Sequence, residues 1–157
     1  MRAESLKPEF KYCWEDFIEG QTKEFGNRMV SEDDILSFAK EYDPQPFHVN
    51  KQAAEQTIFK GLIASGWQTC SFMMRMICDE YLLDSSCQGS PGLDFVKWLK
   101  PVRPGDCIRV RSTVLETRSM NSKPHLGLVS SSWECLNQNN DIVTSMRGSL
   151  IFIKRSQ

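Results

Sequence analysis

A chain of 157 residues and 18.0 kDa has the size of one ordinary domain, and a single domain over 1–157 is expected. Its 40% apolar and 25% charged residues lie in the globular range and exclude a disordered or fibrous chain. Lys+Arg number 19 against 20 Asp+Glu; nucleic-acid binding needs a basic excess, so no nucleic-acid partner is expected.

The opening MRAESLKPEFKYCWEDF carries charges through what would have to be the apolar stretch of a signal peptide, and no later run reads as a membrane span. A soluble, unexported, cytoplasmic protein with no membrane partner is expected. Cys13, Cys70, Cys78, Cys87, Cys107 and Cys135 are scattered, with no CxxC pair and no histidine at metal spacing. That pattern predicts reduced thiols and no metal site.

Gln21 to Val30 reads as a strand ending at Ser31, which with Asp34 makes a capping-box start. Ile35, Phe38, Ala39 and Tyr42 then share one helical face, and Pro44 and Pro46 end the helix near Tyr42. Asp43 to His48 is expected to be a stiff, non-helical corner. Lys51 to Thr57 predicts two short helical turns. From Trp67 to about Leu83, WQTCSFMMRMICDEYLL is apolar nearly all round, which predicts a helix enclosed by the rest of the protein, ~25 Å long. Leu93–Leu99, Cys107–Thr117, Leu126–Asn137 and Ile142–Lys154 read as strands, joined through the turns PVRPGD and NQNND into an antiparallel meander. These pieces predict an α+β fold, a long curved antiparallel sheet wrapped around one central helix.

Imidazole chemistry has two candidates, His48 and His125. His125 lies in a polar turn and reads as a surface residue. His48 follows Asp43 across a segment that two prolines stiffen, so both side chains can project toward one cavity. Downstream, Gly66 opens the central helix, where free backbone N–H groups can bind a developing oxyanion. An acid/base pair followed by an oxyanion donor suits chemistry beside a carbonyl.

The segment FAKEYDPQPFHVNKQAAEQTIFKGLIASGW resembles the hydratase motif of MaoC-like acyl dehydratases, the (R)-specific enoyl-CoA hydratase group of the hot-dog superfamily. That motif runs D-x-N-P-x-H and then G-x-I-x-H-G into the central helix. YCWEDFIEGQ, LDFVKWLKPVRPGD and the closing strands are similar to the family as well, so the resemblance covers essentially the whole chain. It implies a hot-dog fold and the addition of water to a 2-enoyl-CoA thioester, or the reverse. Asp43 and His48 take the catalytic positions, and Gly66 takes that of the backbone donor to the thioester carbonyl. No cofactor is implied, CoA being part of the acyl-CoA substrate, and the expected assembly is a homodimer or a higher homo-oligomer built from dimers.

Three positions depart from the motif: Gln45 replaces asparagine, Ser65 replaces histidine, and Met74 stands where some hydratases place a serine. Ser65 and Met74 are therefore carried with Gly66 as substrate-binding candidates. Met73 and Met76 read as core, and Cys70 and Cys78 as packed thiols. Lys97, Lys100, Arg103, Arg109 and Arg111 cluster about one turn and strand, as a solvated face or as partners for CoA phosphates. Two alternatives stay open. A thioesterase would need an acidic residue on the central helix, which offers none before Asp79; a non-catalytic acyl-CoA-binding module would need neither dyad residue.

Overall fold

The computed structural model describes residues 9–155; the ends of the domain expected over 1–157 lie outside them. β1 (Thr22–Met29) is bulged between Phe25 and Arg28. Gly26 occupies the bulge at φ +81°, and Met76 packs so closely over it that a Cβ would meet the thioether. After β1, Ser31 caps α1 (Glu32–Tyr42). Its hydroxyl accepts from the Asp34 N–H and Asp34 Oδ2 accepts from the Ser31 N–H, each at 3.0 Å, so the expected capping box is complete. Ile35 and Ala39 are fully buried, while Tyr42, the last residue of the stripe, is exposed.

Two short helices follow, α2 (Pro46–Val49) and α3 (Lys51–Glu55), and then α4 (Gly66–Ile77), which runs on into a π-type turn at Cys78–Leu82. The remaining strands are β2 (Cys87–Trp98), β3 (Cys107–Ser119), β4 (Leu126–Leu136) and β5 (Ile142–Ile153). They form one antiparallel sheet with β1, in the order β1-β3-β4-β5-β2. Met73 and Ile77 of α4 press against Ile108, Val110, Val129, Val143 and Phe152 of the sheet, all nearly or fully buried. Each such side chain contributes roughly 1.5–3 kcal/mol of burial free energy. The curled sheet about a central helix is the hot-dog arrangement.

Four details differ from expectation. The Asp43–His48 corner is not free of helix, because Pro46 sits in the first turn of α2, where its fixed φ and missing N–H start a helix instead of ending one. The strands are not a simple meander: β2 lies beyond β5 at the edge of the sheet, and the 99–106 connection crosses the start of α4 to reach β3 beside β1. Backbone bonds Ala64 N–H to Val102 O and Val30 N–H to Asp106 O fasten that crossing at 2.8 Å each. β2 also starts earlier than Leu93, at Cys87, since an edge strand tolerates Gly89, Pro91 and Gly92 with register shifts that a central strand would not. Finally, α4 is covered on one side only. Gln68, Thr69, Met73, Met76 and Ile77 are buried, whereas Trp67, Ser71, Met74 and Arg75 are exposed, because a five-stranded sheet wraps half a helix. Among the described residues no helix is long and apolar enough to cross a membrane.

Candidate active site

The C-terminus of α1 delivers Asp43, whose N–H donates to Ala39 O at 2.9 Å. The single turn of α2 then delivers His48, held by its N–H on Gln45 O at 2.9 Å. The result is a His48 Nε2 to Asp43 Oδ2 distance of 3.3 Å with the imidazole 4% exposed. His48 Nδ1 lies 2.8 Å from the Ile63 carbonyl oxygen. A carbonyl only accepts, so Nδ1 carries the hydrogen, and Nε2 is the nitrogen that faces Asp43. Phe47 packs edge-on against the same ring, 4.4 Å between centroids.

Asp43 is held by both oxygens. Gln45 Nε2 donates to Oδ1 at 2.8 Å, and Ser65 Oγ donates to Oδ2 at 2.7 Å. Burial pushes the carboxyl upward, but the hydrogen bonds from Gln45 and Ser65 and the charge on His48 outweigh it and hold Asp43 below the ordinary carboxylate value. Gln45, the departure from the motif's asparagine, thus reaches Asp43 itself. Ser65 has a second bond, accepting from the Trp67 N–H at 3.3 Å as the N-cap of α4.

Ser65→Ala is therefore expected to raise the Asp43 pKa and to move the acid limb of the kcat/KM profile to higher pH, toward the ordinary carboxylate range. Ser65→Cys, which keeps a weak donor, should fall between the two. A pH–rate series decides it, and an acid limb that stays in place in Ser65→Ala contradicts the role given to this hydroxyl.

A cavity of about 360 Å³ opens onto Asp43 and His48 and is walled by Phe47, Phe59, Trp98 and Thr144. Gly66 lines it as the first residue of α4, and its N–H has no intrahelical acceptor. The Trp98 indole lies against Gly66; a Cβ there would stand 2.5 Å from the ring. Asp43, His48 and Gly66 are thus brought together as the motif implies. Ser65 is not at the cavity wall, being fully buried with its hydroxyl spent on Asp43 and the helix cap. Met74 lies about two turns further along α4 and lines a separate apolar cavity. Trp98 and Thr144 lie outside the dyad segment and reach the site only through the sheet order, while Phe59 comes from the loop between α3 and α4.

The other candidates are mostly accounted for. Lys100 pairs with Asp141 at 2.7 Å, Arg109 with Glu24 at 2.9 Å, and Arg111 with Glu134 at 2.7 Å; Arg103 donates to Phe59 O, and Lys97 lies over the Phe95 ring. Three of the five cations are thus paired with carboxylates, and Lys100 also borders the dyad cavity. All six cysteines are free, and burial pushes the Cys135 thiol up to about 12. His125 is exposed. Asp79, the acidic residue a thioesterase reading would turn to, is exposed in the π-type turn and paired with Arg75. Among the described residues no cluster of histidine, cysteine or carboxylate could hold a metal.

An uncharacterized protein of Bacillus subtilis, YdeM, is 30% identical over 142 residues, 90% of this chain and 98% of its own. The (R)-specific enoyl-CoA hydratase of Rhodospirillum rubrum is 35% identical over 108 residues, 66% of this chain and 69% of its own. The crystal structure of a MaoC-like dehydratase from Rhodospirillum rubrum superposes with a TM-score of 0.86 at 32% identity, covering 93% of this chain and 99% of that one. Residues 17–132 match the MaoC-like domain, and with the dyad segment and the opening of the central helix both inside that span, the chain belongs to the MaoC-like dehydratase family.

Proposed function

We propose that this protein adds water to a 2-enoyl-CoA thioester, or removes it from the 3-hydroxyacyl product, with Asp43 and His48 as the acid/base pair. The observation that carries the reading is one cavity bordered by three groups: an ionised Asp43, a His48 whose Nε2 faces that carboxylate, and the Gly66 N–H. One water can touch both Asp43 Oδ2 and His48 Nε2, since the two atoms are 3.3 Å apart. The dyad takes a proton from that water as its oxygen bonds to Cβ, and a proton returns to Cα. The thioester carbonyl becomes enolate-like on the way, and the Gly66 N–H stabilises its oxygen. The atoms of water are all consumed and no electrons are transferred, so the reaction calls for no cofactor beyond the CoA of its substrate. The six free thiols suit a reducing, cytoplasmic setting.

The test is to incubate the purified protein with crotonyl-CoA, hexenoyl-CoA and branched or dicarboxylic enoyl-CoA, following the conjugated thioester absorbance in both directions. Loss of absorbance without release of CoA thiol is expected. Thiol release would make the protein a thioesterase, and binding without turnover would make it a non-catalytic acyl-CoA-binding module.

The assembly belongs to the same reading. β2 pairs with β5 on one side only, and Trp67, Met74, Leu93, Trp98 and Leu99 are exposed on or beside it. An open edge beside so much apolar surface calls for a second copy. Sedimentation should give twice the 18.0 kDa chain mass or a multiple of that, and a stable monomer at micromolar concentration would overturn the homodimer.

A further inference from the structure

The dyad cavity is followed along the same elements by the apolar cavity that contains Met74, about 210 Å³ in volume. On α4 the first takes Gly66 and Thr69 and the second Cys70 and Met74; on β5 the first takes Thr144 and the second Met146 and Leu150. Gly66 and Cys70 are one helical turn apart, about 6 Å. The two spaces are therefore neighbours along α4 and β5. Trp98 walls the first cavity and lies against Gly66, one helical turn before Cys70, which lines the second. Trp67 braces the Trp98 indole from outside, edge to face at 5.1 Å between centroids.

Resting on the hydratase reading, we propose that the Trp98 indole is a partition that closes the apolar cavity to the acyl chain and restricts the enzyme to short enoyl groups. A thioester whose carbonyl meets the Gly66 N–H and whose double bond meets the dyad sends the rest of its chain along α4. The indole occupies that path where it covers Gly66. The space behind it is lined by Trp133, Met146, Leu150 and Met74, side chains that suit a hydrocarbon chain and offer nothing to a polar one. Trp98 thus determines specificity without touching a proton in the reaction. A smaller side chain at this position joins the two cavities, and each buried methylene then adds to transition-state binding.

The experiment compares wild type, Trp98→Phe and Trp98→Leu on straight-chain enoyl-CoAs from crotonyl-CoA to dodecenoyl-CoA. Wild-type kcat/KM is expected to fall with chain length. In Trp98→Leu it should rise relative to crotonyl-CoA by roughly tenfold for every two methylenes that enter the second cavity, with Trp98→Phe intermediate. Because Met74 lines that cavity, Met74→Ala should move the length ranking several-fold more in the Trp98→Leu background than alone. Calorimetric binding of saturated acyl-CoAs of the same lengths makes the comparison independently of turnover and also reports whether each variant retains a folded site. If no variant turns over any enoyl-CoA, the hydratase reading fails, and the partition is then judged on binding alone. An unchanged length dependence in Trp98→Phe and Trp98→Leu, in kcat/KM or in binding, overturns the partition even if hydration proceeds.

Discussion

Asp43→Asn and His48→Ala are each expected to lower kcat by about 10²–10⁴-fold, the range for a positioned acid/base group. Asn keeps the size of the carboxyl and can still meet Gln45 and Ser65, so that variant should fold normally while losing the charge. His48→Ala deletes Nε2 and also leaves the buried Ile63 carbonyl without its partner, which costs about 1–3 kcal/mol of stability. Thermal denaturation should therefore separate the two variants even where their rates do not. Both side chains lie against one water position, so the double variant should be little slower than the worse single one. Steady-state hydration of crotonyl-CoA decides the matter, and wild-type turnover in either single variant would mean that the dyad is not the acid/base pair.

Gly66→Ala is expected to reduce kcat by roughly 10²-fold or more, the cost of losing one oxyanion donor. Alanine favours a helix over glycine by up to ~1 kcal/mol, so propensity alone predicts a protein at least as stable. The added Cβ, however, would stand 2.5 Å from Trp98 Cε2 and Nε1, well inside contact distance. Either the indole or the start of α4 must shift, and a shift at the helix start moves the N–H away from the carbonyl. Adding Trp98→Leu removes the collision and should restore much of the lost rate. Full activity in Gly66→Ala with Trp98 intact would show that the indole gives way and the start of α4 stays in place.

The dyad is legible in the sequence because Asp43, two prolines and His48 lie within a few residues, and because Ser31 and Asp34 mark the start of the helix that presents Asp43. The one-turn helix carrying His48 is not, since Pro46 reads as a helix breaker until its place in the first turn is seen. The alternating residues of β3, β4 and β5 reveal the sheet, but not its order; that depends on the 99–106 crossing, whose anchors on Ala64 and Val30 are distant in sequence. Trp98 is hidden for the same reason, as its partner Gly66 is met only through the fold. Ser65 reaches Asp43 and caps α4 from behind the cavity wall. A serine beside a helix-opening glycine signals a cap or a ligand equally well, and only the approach of Asp43 distinguishes them.

The Ser65 hydroxyl has a dynamic consequence. It bonds the carboxylate of Asp43 and the first turn of α4 at once, so fraying of that turn loosens one of the two side-chain bonds to Asp43 in the same event that disorders the Gly66 N–H. Motion at the start of α4 is thereby coupled to the setting of the Asp43 carboxylate. Amide hydrogen exchange at Trp67, whose N–H is the one that Ser65 accepts, is accordingly expected to report how often that coupling is broken in the resting protein, with no substrate present.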